Sequence, residues 1–287
     1  MEKAIRRYWP VFVLPTLIAF IIGFVWPFIW GAGLSFCKFT TVKNVQFVGL
    51  SNYAMIWSDN TFTHAFWFTA AFTVVSTLLI NVLAFAIALL LTRGMHGTNA
   101  FRTIFFLPNL IGGIVLGYVW KFVFNRAFVA IAEVATQTDH ASLLSTPNGA
   151  MFCLILVSVW QYAGYMMLIY VAGFMSVDQS LKEAAMIDGC NKGKAMWHVV
   201  IPLMRSSFVQ CIFLSTTRCF MVYDLNLSLT KGEPFNQSVL AAMHVYNQAF
   251  VYKNYGTGQA EALVLFIVCA VIGMLQVYFG KKGEVAA

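Results

Sequence analysis

Residues 183–202 read EAAMIDGCNKGKAMWHVVIP, a polar and small-residue stretch in a chain that is otherwise almost continuously apolar. Two S-x-x-E/Q capping boxes, which begin at Ser176 and Ser180, predict a helix start just before it. Gly189 predicts the end of that helix, since glycine adopts the left-handed conformation without a Cβ clash. A second amphipathic helix is predicted after the turn and is expected to stop at Pro202. The spacing alone therefore indicates a hairpin of two short helices between membrane segments.

The composition places the chain in a membrane. Of its 287 residues, 60% are hydrophobic and 10% are charged, and the mean hydropathy is +0.76. A soluble domain carries roughly 25% charged residues. The net charge of +7 comes from scattered basic residues rather than from one basic stripe, so we expect no nucleic-acid partner. The six cysteines form no C-x-x-C pair, which predicts neither a disulfide framework nor a metal site.

Six apolar segments reach the roughly 20 residues that a bilayer-spanning helix needs. Each must be helical, because lipid cannot satisfy an open backbone. The first is too long for a signal peptide and is expected to stay in the membrane. The predicted fold class is an all-α integral membrane protein with six transmembrane helices. The predicted spans are 11–35, 66–91, 104–124, 151–174, 206–229 and 261–280.

The lysines and arginines predict the orientation. With both termini inside, the inner segments hold eleven of them: Lys3, Arg6, Arg7, Arg93, Arg102, Lys182, Lys192, Lys194, Arg205, Lys281 and Lys282. The outer loops hold five: Lys38, Lys43, Arg126, Lys231 and Lys253. Lys121 and Arg218 fall in membrane segments. The positive-inside rule therefore predicts a cytoplasmic N-terminus (1–10), a cytoplasmic loop (176–205) and a cytoplasmic tail (281–287).

The opening stretch also resembles the cytoplasmic coupling loop of ABC importer permeases, with its E-A-A-x-x-D-G pattern. The matching positions are Glu183, Ala184, Ala185, Asp188, Gly189 and Pro202, while Cys190 replaces the usual alanine. The resemblance continues along the chain to carbohydrate-uptake permeases of the maltose type, larger-subunit group. It rests on Arg102–Pro108 (RTIFFLP), Trp160–Met167 (WQYAGYMM), Leu229–Pro234 (LTKGEP) and Tyr255–Ala260 (YGTGQA). Glu233 departs from the family's G-G-P pattern.

The resemblance implies a type I ABC permease fold with a core at 66–280 and cytoplasmic coupling helices. It also implies import of a sugar or oligosaccharide by alternating access, in the inner membrane of a bacterial cell. The expected partners are a second, homologous permease chain, two ATPase subunits, and an extracytoplasmic solute-binding protein. The coupling-loop positions would contact the ATPase, with Glu183 as the charged contact to an arginine. ATP and Mg²⁺ would be bound by the ATPase, so we expect no cofactor in this chain.

The solute site is predicted on the fourth and fifth helices. The resemblance implies contacts from Ser158, Gln161, Tyr162, Ser215, Cys219 and Val222. Polar residues on membrane helices also serve as contacts between helices, and this alternative stays open. Arg218 is added to the candidate solute contacts, because placing an arginine near the middle of the membrane costs roughly 2.5–3.5 kcal/mol of free energy or more. It either contacts an anionic or highly hydroxylated saccharide, or forms a structural pair with Asp224 or with a partner carboxylate.

The sequence predicts no catalytic chemistry. Gly189–Ala195 resembles a phosphate-binding P-loop but is one residue short and lacks the final Ser/Thr. No H-E-x-x-H, G-x-S-x-G or metal-spaced His/Cys cluster is present, so we expect neither catalytic residues nor metal ligands. The alternatives are an ABC permease for another small solute (a polyamine or an amino acid), an ion-coupled secondary transporter, and an integral membrane enzyme. The secondary transporter requires membrane-embedded carboxylates, which here fall in loops or near helix ends.

Overall fold

The computed structural model describes residues 2–41, 43–136 and 141–282, so part of the predicted tail (283–287) lies outside the described residues. The α-helices are α1 (Glu2–Phe20), α2 (Trp26–Leu34), α3 (Ser51–Ser58), α4 (Asn60–Leu91), α5 (Thr98–Phe106), α6 (Gly113–Phe122), α7 (Phe128–Thr136), α8 (Pro147–Ser176), α9 (Gln179–Ile187), α10 (Lys192–Ala195), α11 (Ile201–Leu203), α12 (Arg205–Phe220), α13 (Asp224–Leu229), α14 (Ala241–Tyr246) and α15 (Tyr255–Lys281). Wide π-helical turns occupy Ile21–Val25, Val123–Ala127, Met196–Val200 and Asn247–Val251, and 3₁₀ turns occupy Leu107–Leu110 and Leu143–Ser145. The strands are β1 (Cys37–Lys38) and β2 (Gln46–Phe47).

Within the described ranges, five helical stretches are long and apolar enough to cross a membrane. They are Val11–Leu34, Asn60–Leu91, Gly113–Ile131, Pro147–Ser176 and Tyr255–Gly280. A sixth is obtained if Lys192–Leu203 and Arg205–Phe220, which meet at a 66° bend, count as one span. The all-α membrane fold predicted from hydropathy is therefore confirmed.

The third and fifth apolar segments differ in position from the prediction. The predicted span 104–124 is broken by a 3₁₀ turn and by the extended backbone of Gly112 (φ −61°, ψ 140°), so the spanning helix begins at Gly113. Pro108 lies in this turn, where a missing N–H is tolerated. The predicted span 206–229 ends early, at Phe220. Hydropathy does not register such breaks, because the residues on both sides are equally apolar.

The chain divides into two compact units. The first comprises the residues up to Asn60 together with Val245–Phe266. In it, β1 pairs antiparallel with β2, with Cys37 opposite Phe47. Asn52 is buried and its Nδ2 donates to the carbonyl oxygens of Ser35 (2.7 Å) and Cys37 (3.0 Å). This side chain therefore ties α3 to the end of α2 and the start of β1.

The second unit comprises Thr61–His244 and the chain from Ile267 onward, and holds the larger apolar core. The small residues at 112, 113 and 117 predict close helix contact. A Cβ on Gly117 would collide with the Ser228 side chain, and a Cβ on Gly113 would lie 2.9 Å from the Asp224 Cβ. Ser228 Oγ also donates to the Gly113 carbonyl oxygen (3.2 Å). Helix α13 therefore packs against α6 at a separation that only glycine permits.

Candidate functional site

Helix α9 of the coupling loop starts at a cap that the sequence prediction missed. The N-cap is Asp178, whose Oδ1 accepts from the Ser180 N–H (3.0 Å). The predicted boxes at Ser176 and Ser180 are wrong, because α8 continues through Ser176 and the Ser176 hydroxyl donates back to the Gly173 carbonyl oxygen (2.8 Å). The Ser180 hydrogen bond is the main reason that the pKa of Asp178 lies below its usual range. The cap is therefore charged at neutral pH and weakens as the pH falls through that lowered pKa.

Gly189 ends α9 as predicted. Its φ of +86° is left-handed, a conformation that costs most other residues free energy. The Gly189 N–H donates to the Met186 carbonyl oxygen (3.2 Å), and the Cys190 N–H donates to that of Ala185 (3.0 Å). These two bonds define a Schellman motif, which satisfies carbonyls that a helix end otherwise leaves open. The direction in which the chain leaves α9 is fixed by this motif.

The helix after the turn ends at Leu203, one residue beyond the predicted stop at Pro202. It runs from Lys192 to Leu203 and ends where Met204 leaves the helical region. A π-helical turn, Met196–Val200, ends two residues before the proline, and the Ile201 N–H donates to the Met196 carbonyl oxygen. Proline has no N–H to donate to the preceding turn of a helix. The π-helical turn shifts the backbone hydrogen bonds by one residue before Pro202, and this shift leaves room for the proline ring. The 66° bend with α12 follows immediately.

The coupling-loop residues form an exposed surface. Of the predicted positions, Glu183, Ala184, Asp188, Gly189 and Pro202 are exposed, and Ala185 is buried. Two large apolar side chains that the sequence prediction did not place there join them: Ile187 is 86% exposed and Trp197 is 70% exposed. Ile187 lies inside the E-A-A-x-x-D-G pattern at an unspecified position, so the motif gave no signal for it. Apolar side chains exposed on a polar loop indicate a surface that binds another protein.

Arg218 lies in the predicted solute region at the centre of a polar and aromatic cluster. Its Nη1 donates to Asn109 Oδ1 (2.8 Å), and its Cζ lies 4.7 Å from the Tyr165 ring centroid and 5.4 Å from that of Tyr162. Among the described residues, this guanidinium forms its hydrogen bond with Asn109 rather than with Asp224. The early end of α12 places Arg218 in the last helical turn, where the helix dipole favours a cation.

The structure adds two residues to this cluster that the sequence prediction missed. Tyr165 lies four residues, about one helical turn, after Gln161 in the WQYAGYMM stretch. Helical spacing could therefore have placed it on the same side of α8 as Gln161. Asn109 lies in the same 3₁₀ turn as Pro108, and nothing in its sequence surroundings indicated the contact with α12. We define Asn109, Tyr162, Tyr165 and Arg218 as the arginine cluster. All four side chains are partly exposed on this chain.

The other predicted solute residues are buried within this chain. Gln161, 5% exposed, donates from Nε2 to the Ile111 carbonyl oxygen (3.1 Å) at the break before α6. Ser215 accepts a bond from Asn81 Nδ2 (2.9 Å), and the Asn81 Oδ1 accepts from the Tyr170 hydroxyl (2.8 Å). These bonds join α4, α8 and α12 in the manner of interhelical contacts. Ser158, Cys219 and Val222 are buried as well.

Comparison with known proteins identifies the family. Residues 96–283 match the family described as binding-protein-dependent transport system inner membrane component. The probable starch degradation products transport system permease protein AmyD of Thermoanaerobacterium thermosulfurigenes is 38% identical over 97% of this chain and 95% of its own length. The multiple sugar-binding transport system permease protein MsmF of Streptococcus mutans serotype c is 31% identical over 99% of each chain. The chain belongs to this family.

A solved structure agrees with the fold. One chain of a bacterial ABC transporter involved in the import of the acidic polysaccharide alginate superposes with a TM-score of 0.83, covering 98% of both chains at 19% identity. The predicted ABC importer permease fold is therefore confirmed. The chain is a multi-pass membrane subunit of a transport system and not an enzyme, since its relatives are permease components.

Proposed function

We propose that this permease imports a sugar or oligosaccharide and works by alternating access. The observation that carries the proposal is the arginine cluster, which presents two tyrosine rings, an amide and a guanidinium among apolar membrane helices. Sugar sites combine aromatic faces with a few fixed hydrogen-bonding groups. The names of AmyD and MsmF, which refer to starch degradation products and multiple sugars, support the same class of solute.

The exposed coupling-loop surface supports a partner ATPase. We place two ATPase subunits, which hold ATP and Mg²⁺, against the coupling loops of this chain and of a second homologous permease. Glu183 is the proposed charged contact, and Ile187 and Trp197 supply apolar area around it. An extracytoplasmic binding protein would deliver the solute, in agreement with the family description. The distribution of basic residues supports cytoplasmic termini and a cytoplasmic coupling loop.

The connectivity of the chain suggests how ATP binding reaches the solute. Helix α8 carries Tyr162 and Tyr165 and leads into the coupling loop, and α12 leaves the loop and carries Arg218. A displacement of the loop would therefore move both helices that carry Tyr162, Tyr165 and Arg218, three of the four members of the arginine cluster. Alternating access is an equilibrium between an outward-facing and an inward-facing state. ATP can shift this equilibrium only if it binds the two states with different affinity. Ser158, Gln161, Ser215, Cys219 and Val222 stay predictions as solute contacts, since their side chains are buried in this chain.

The class of solute is tested on the whole system. The cognate binding protein is screened against neutral sugars, acidic sugars, amino acids and polyamines, and each ligand found is added to the reconstituted transporter. We expect a sugar to bind and to stimulate ATP hydrolysis. An amino acid or polyamine that stimulates ATP hydrolysis while all sugars fail would contradict the proposal.

Arg218 tests whether the solute carries a negative charge. We expect Arg218→Gln to lower uptake of an acidic sugar by about ten- to a hundredfold, because a hydrogen bond to a charged group contributes roughly 1.5–3 kcal/mol. Uptake of a neutral sugar should change little, since Asn109 and both tyrosines remain. Initial uptake rates in proteoliposomes give the comparison.

Arg218→Lys is the matched control, because it keeps the positive charge and should retain more of the acidic-sugar uptake than Arg218→Gln. If both variants lose neutral and acidic uptake equally, together with the folded complex, Arg218 is a structural residue and the solute contact is refuted.

A further inference from the structure

One side chain of α4 bonds to both helices that adjoin the coupling loop, α8 and α12. The Asn81 Nδ2 donates to the Ser215 hydroxyl oxygen on α12 (2.9 Å), and the Asn81 Oδ1 accepts from the Tyr170 hydroxyl on α8 (2.8 Å). Tyr170 and Ser215 are fully buried. In the interior of a membrane protein, no water replaces a lost hydrogen-bond partner. Asn81 therefore links α8 to α12 through a single amide.

The direction of each hydrogen bond in this link is fixed. The Ser215 hydroxyl donates to the Cys211 carbonyl oxygen (2.6 Å), so it can only accept from Asn81. The amide must therefore turn its NH₂ group toward Ser215 and its carbonyl oxygen toward Tyr170. The second Nδ2 hydrogen goes to the Thr77 carbonyl oxygen (2.8 Å). Both donors and the acceptor of the amide are used, and an aliphatic residue at position 81 cannot make the link.

Phe85, one helical turn further along α4, contacts the same two helices. Its ring centroid lies 5.5 Å from that of Tyr170 and 5.4 Å from that of Phe174, both on α8. It also lies 5.3 Å from the ring centroid of Phe208 on α12. Residues four apart lie on one face of a helix, so one face of α4 meets α8 and α12 at two successive levels. We define Asn81 and Phe85 as the α4 clamp.

The α4 clamp lies between the arginine cluster and the coupling loop along both helices. On α8, the residues that it contacts follow Tyr165 and precede the helix end at Ser176. On α12, the residues that it contacts follow the helix start at Arg205 and precede Arg218. A displacement of the loop that travels along these helices therefore passes the clamp before it reaches the cluster.

We propose that Asn81 is a positioning residue that makes α8 and α12 move as one body when the coupling loop moves. Its hydrogen-bond partners on these helices belong to neither the arginine cluster nor the coupling loop. Without the link, α12 could move while α8 stays behind, and ATP would be hydrolysed without import of solute. Packed hydrogen-bonded networks of this kind carry coupling between distant sites. The proposal rests on the proposed ATP-driven import, and it is independent of the class of solute.

The test measures the distance between α8 and α12 in the purified transport complex. Spin labels are attached through Ala172→Cys on α8 and Gln210→Cys on α12, two exposed positions. The three partly exposed native cysteines are first replaced by serine. Dipolar electron spin resonance gives the distance without nucleotide and with ATP and vanadate. In the complex with Asn81 in place we expect the same distance in both states, because the two helices move together.

Asn81→Leu should separate the movements of the two helices. Leucine is similar to asparagine in size and has no polar side-chain atom, so it removes both interhelical bonds. We expect the label distance to differ between the two states by roughly 2 Å, the scale of helix shifts in allosteric transitions. Tyr170→Phe removes only the bond to α8 and keeps the ring contact with Phe85. It should give a smaller change of the same kind, and it tests the proposal if Asn81→Leu does not fold.

The number of ATP molecules hydrolysed per sugar molecule imported is the second readout, with the sugar that the binding-protein screen identifies. In Asn81→Leu this ratio should rise roughly threefold or more, as expected for a residue in a coupling network. A merely structural residue would lower ATP hydrolysis and uptake together and leave the ratio unchanged. A complex that imports no sugar would refute the proposed solute class, while the distance measurement would still decide the role of Asn81.

Gln276→Leu is the matched control. The Gln276 Nε2 donates to the Thr216 hydroxyl oxygen on α12 (3.1 Å), so this variant also removes an interhelical bond to α12 but leaves the link to α8 intact. It should keep one distance in both states and an unchanged ratio. A distance that changes with Asn81 in place would overturn the proposal. So would an unchanged distance or ratio in Asn81→Leu, or equal changes in Asn81→Leu and Gln276→Leu.

Discussion

Replacing Gly189 with valine should lower ATP-driven uptake by about tenfold or more, while the chain still inserts into the membrane. The left-handed backbone (φ +86°) costs an L-residue roughly 1–2 kcal/mol, and a β-branched residue more. Valine would therefore break the Schellman bonds and change the direction in which the chain leaves α9. A free-energy cost of 1.4 kcal/mol lowers the population of the native loop conformation by about tenfold, which sets the expected loss of uptake. Uptake in proteoliposomes and the amount of chain in the membrane are measured together.

Gly189→Asn is the control, since asparagine adopts the left-handed conformation at helix ends. No atom lies within 4 Å of a Cβ at this position, so the side chain itself fits within the chain. Asparagine should retain most of the uptake. Valine with near-normal uptake would show that the helix end at Gly189 is not required for coupling.

Replacing Gly164 with alanine should lower the stability of the folded chain by about 1–3 kcal/mol or more, the usual cost of overpacking. A Cβ at Gly164 would collide with the Phe105 carbonyl group and lie 3.0 Å from the Phe106 backbone N. These are backbone atoms of α5, which cannot move aside as a flexible side chain does. The change is measured as a lower unfolding temperature of the purified complex and less folded chain in the membrane.

Gly112→Ala is the matched control, because no atom lies within 4 Å of a Cβ there and its φ of −61° suits alanine. It should lower the unfolding temperature much less than Gly164→Ala, since its expected cost is the poorer cap that alanine gives at the start of α6. Equal stability of Gly164→Ala and Gly112→Ala would contradict the close packing of α8 against α5.

The end of α9 was predictable and its start was not. The end of α9 depends only on the local sequence, since one residue without a Cβ, Gly189, can adopt the left-handed conformation that the turn and its hydrogen bonds require. The start depends on where the preceding helix ends. Helix α8 packs along its length and keeps Ser176 inside its last turn, so the cap falls to Asp178. Capping signals identify residues that can start a helix, and packing selects among them.

In the solute region, too, the local sequence identified candidate residues and the packing of the helices decided their positions. Helical spacing placed Ser158, Gln161 and Tyr162 on one side of α8, but spacing does not say whether that side meets a cavity or a neighbouring helix. The structure buries Ser158 and Gln161 and leaves Tyr162 partly exposed. Asn109, which contacts Arg218, lies in the 3₁₀ turn that interrupts the third apolar segment. Contacts created by a break in a helix are not encoded in helical periodicity.

The central claim, that this permease is driven by ATP through its coupling loop, is tested most directly by inhibitors of the two energy sources. The complex is reconstituted with its ATPase and binding protein, and solute uptake is measured with vanadate or with an ionophore that collapses ion gradients. We expect vanadate to stop uptake and the ionophore to leave it unchanged. Uptake that persists in vanadate and stops with the ionophore would contradict the account.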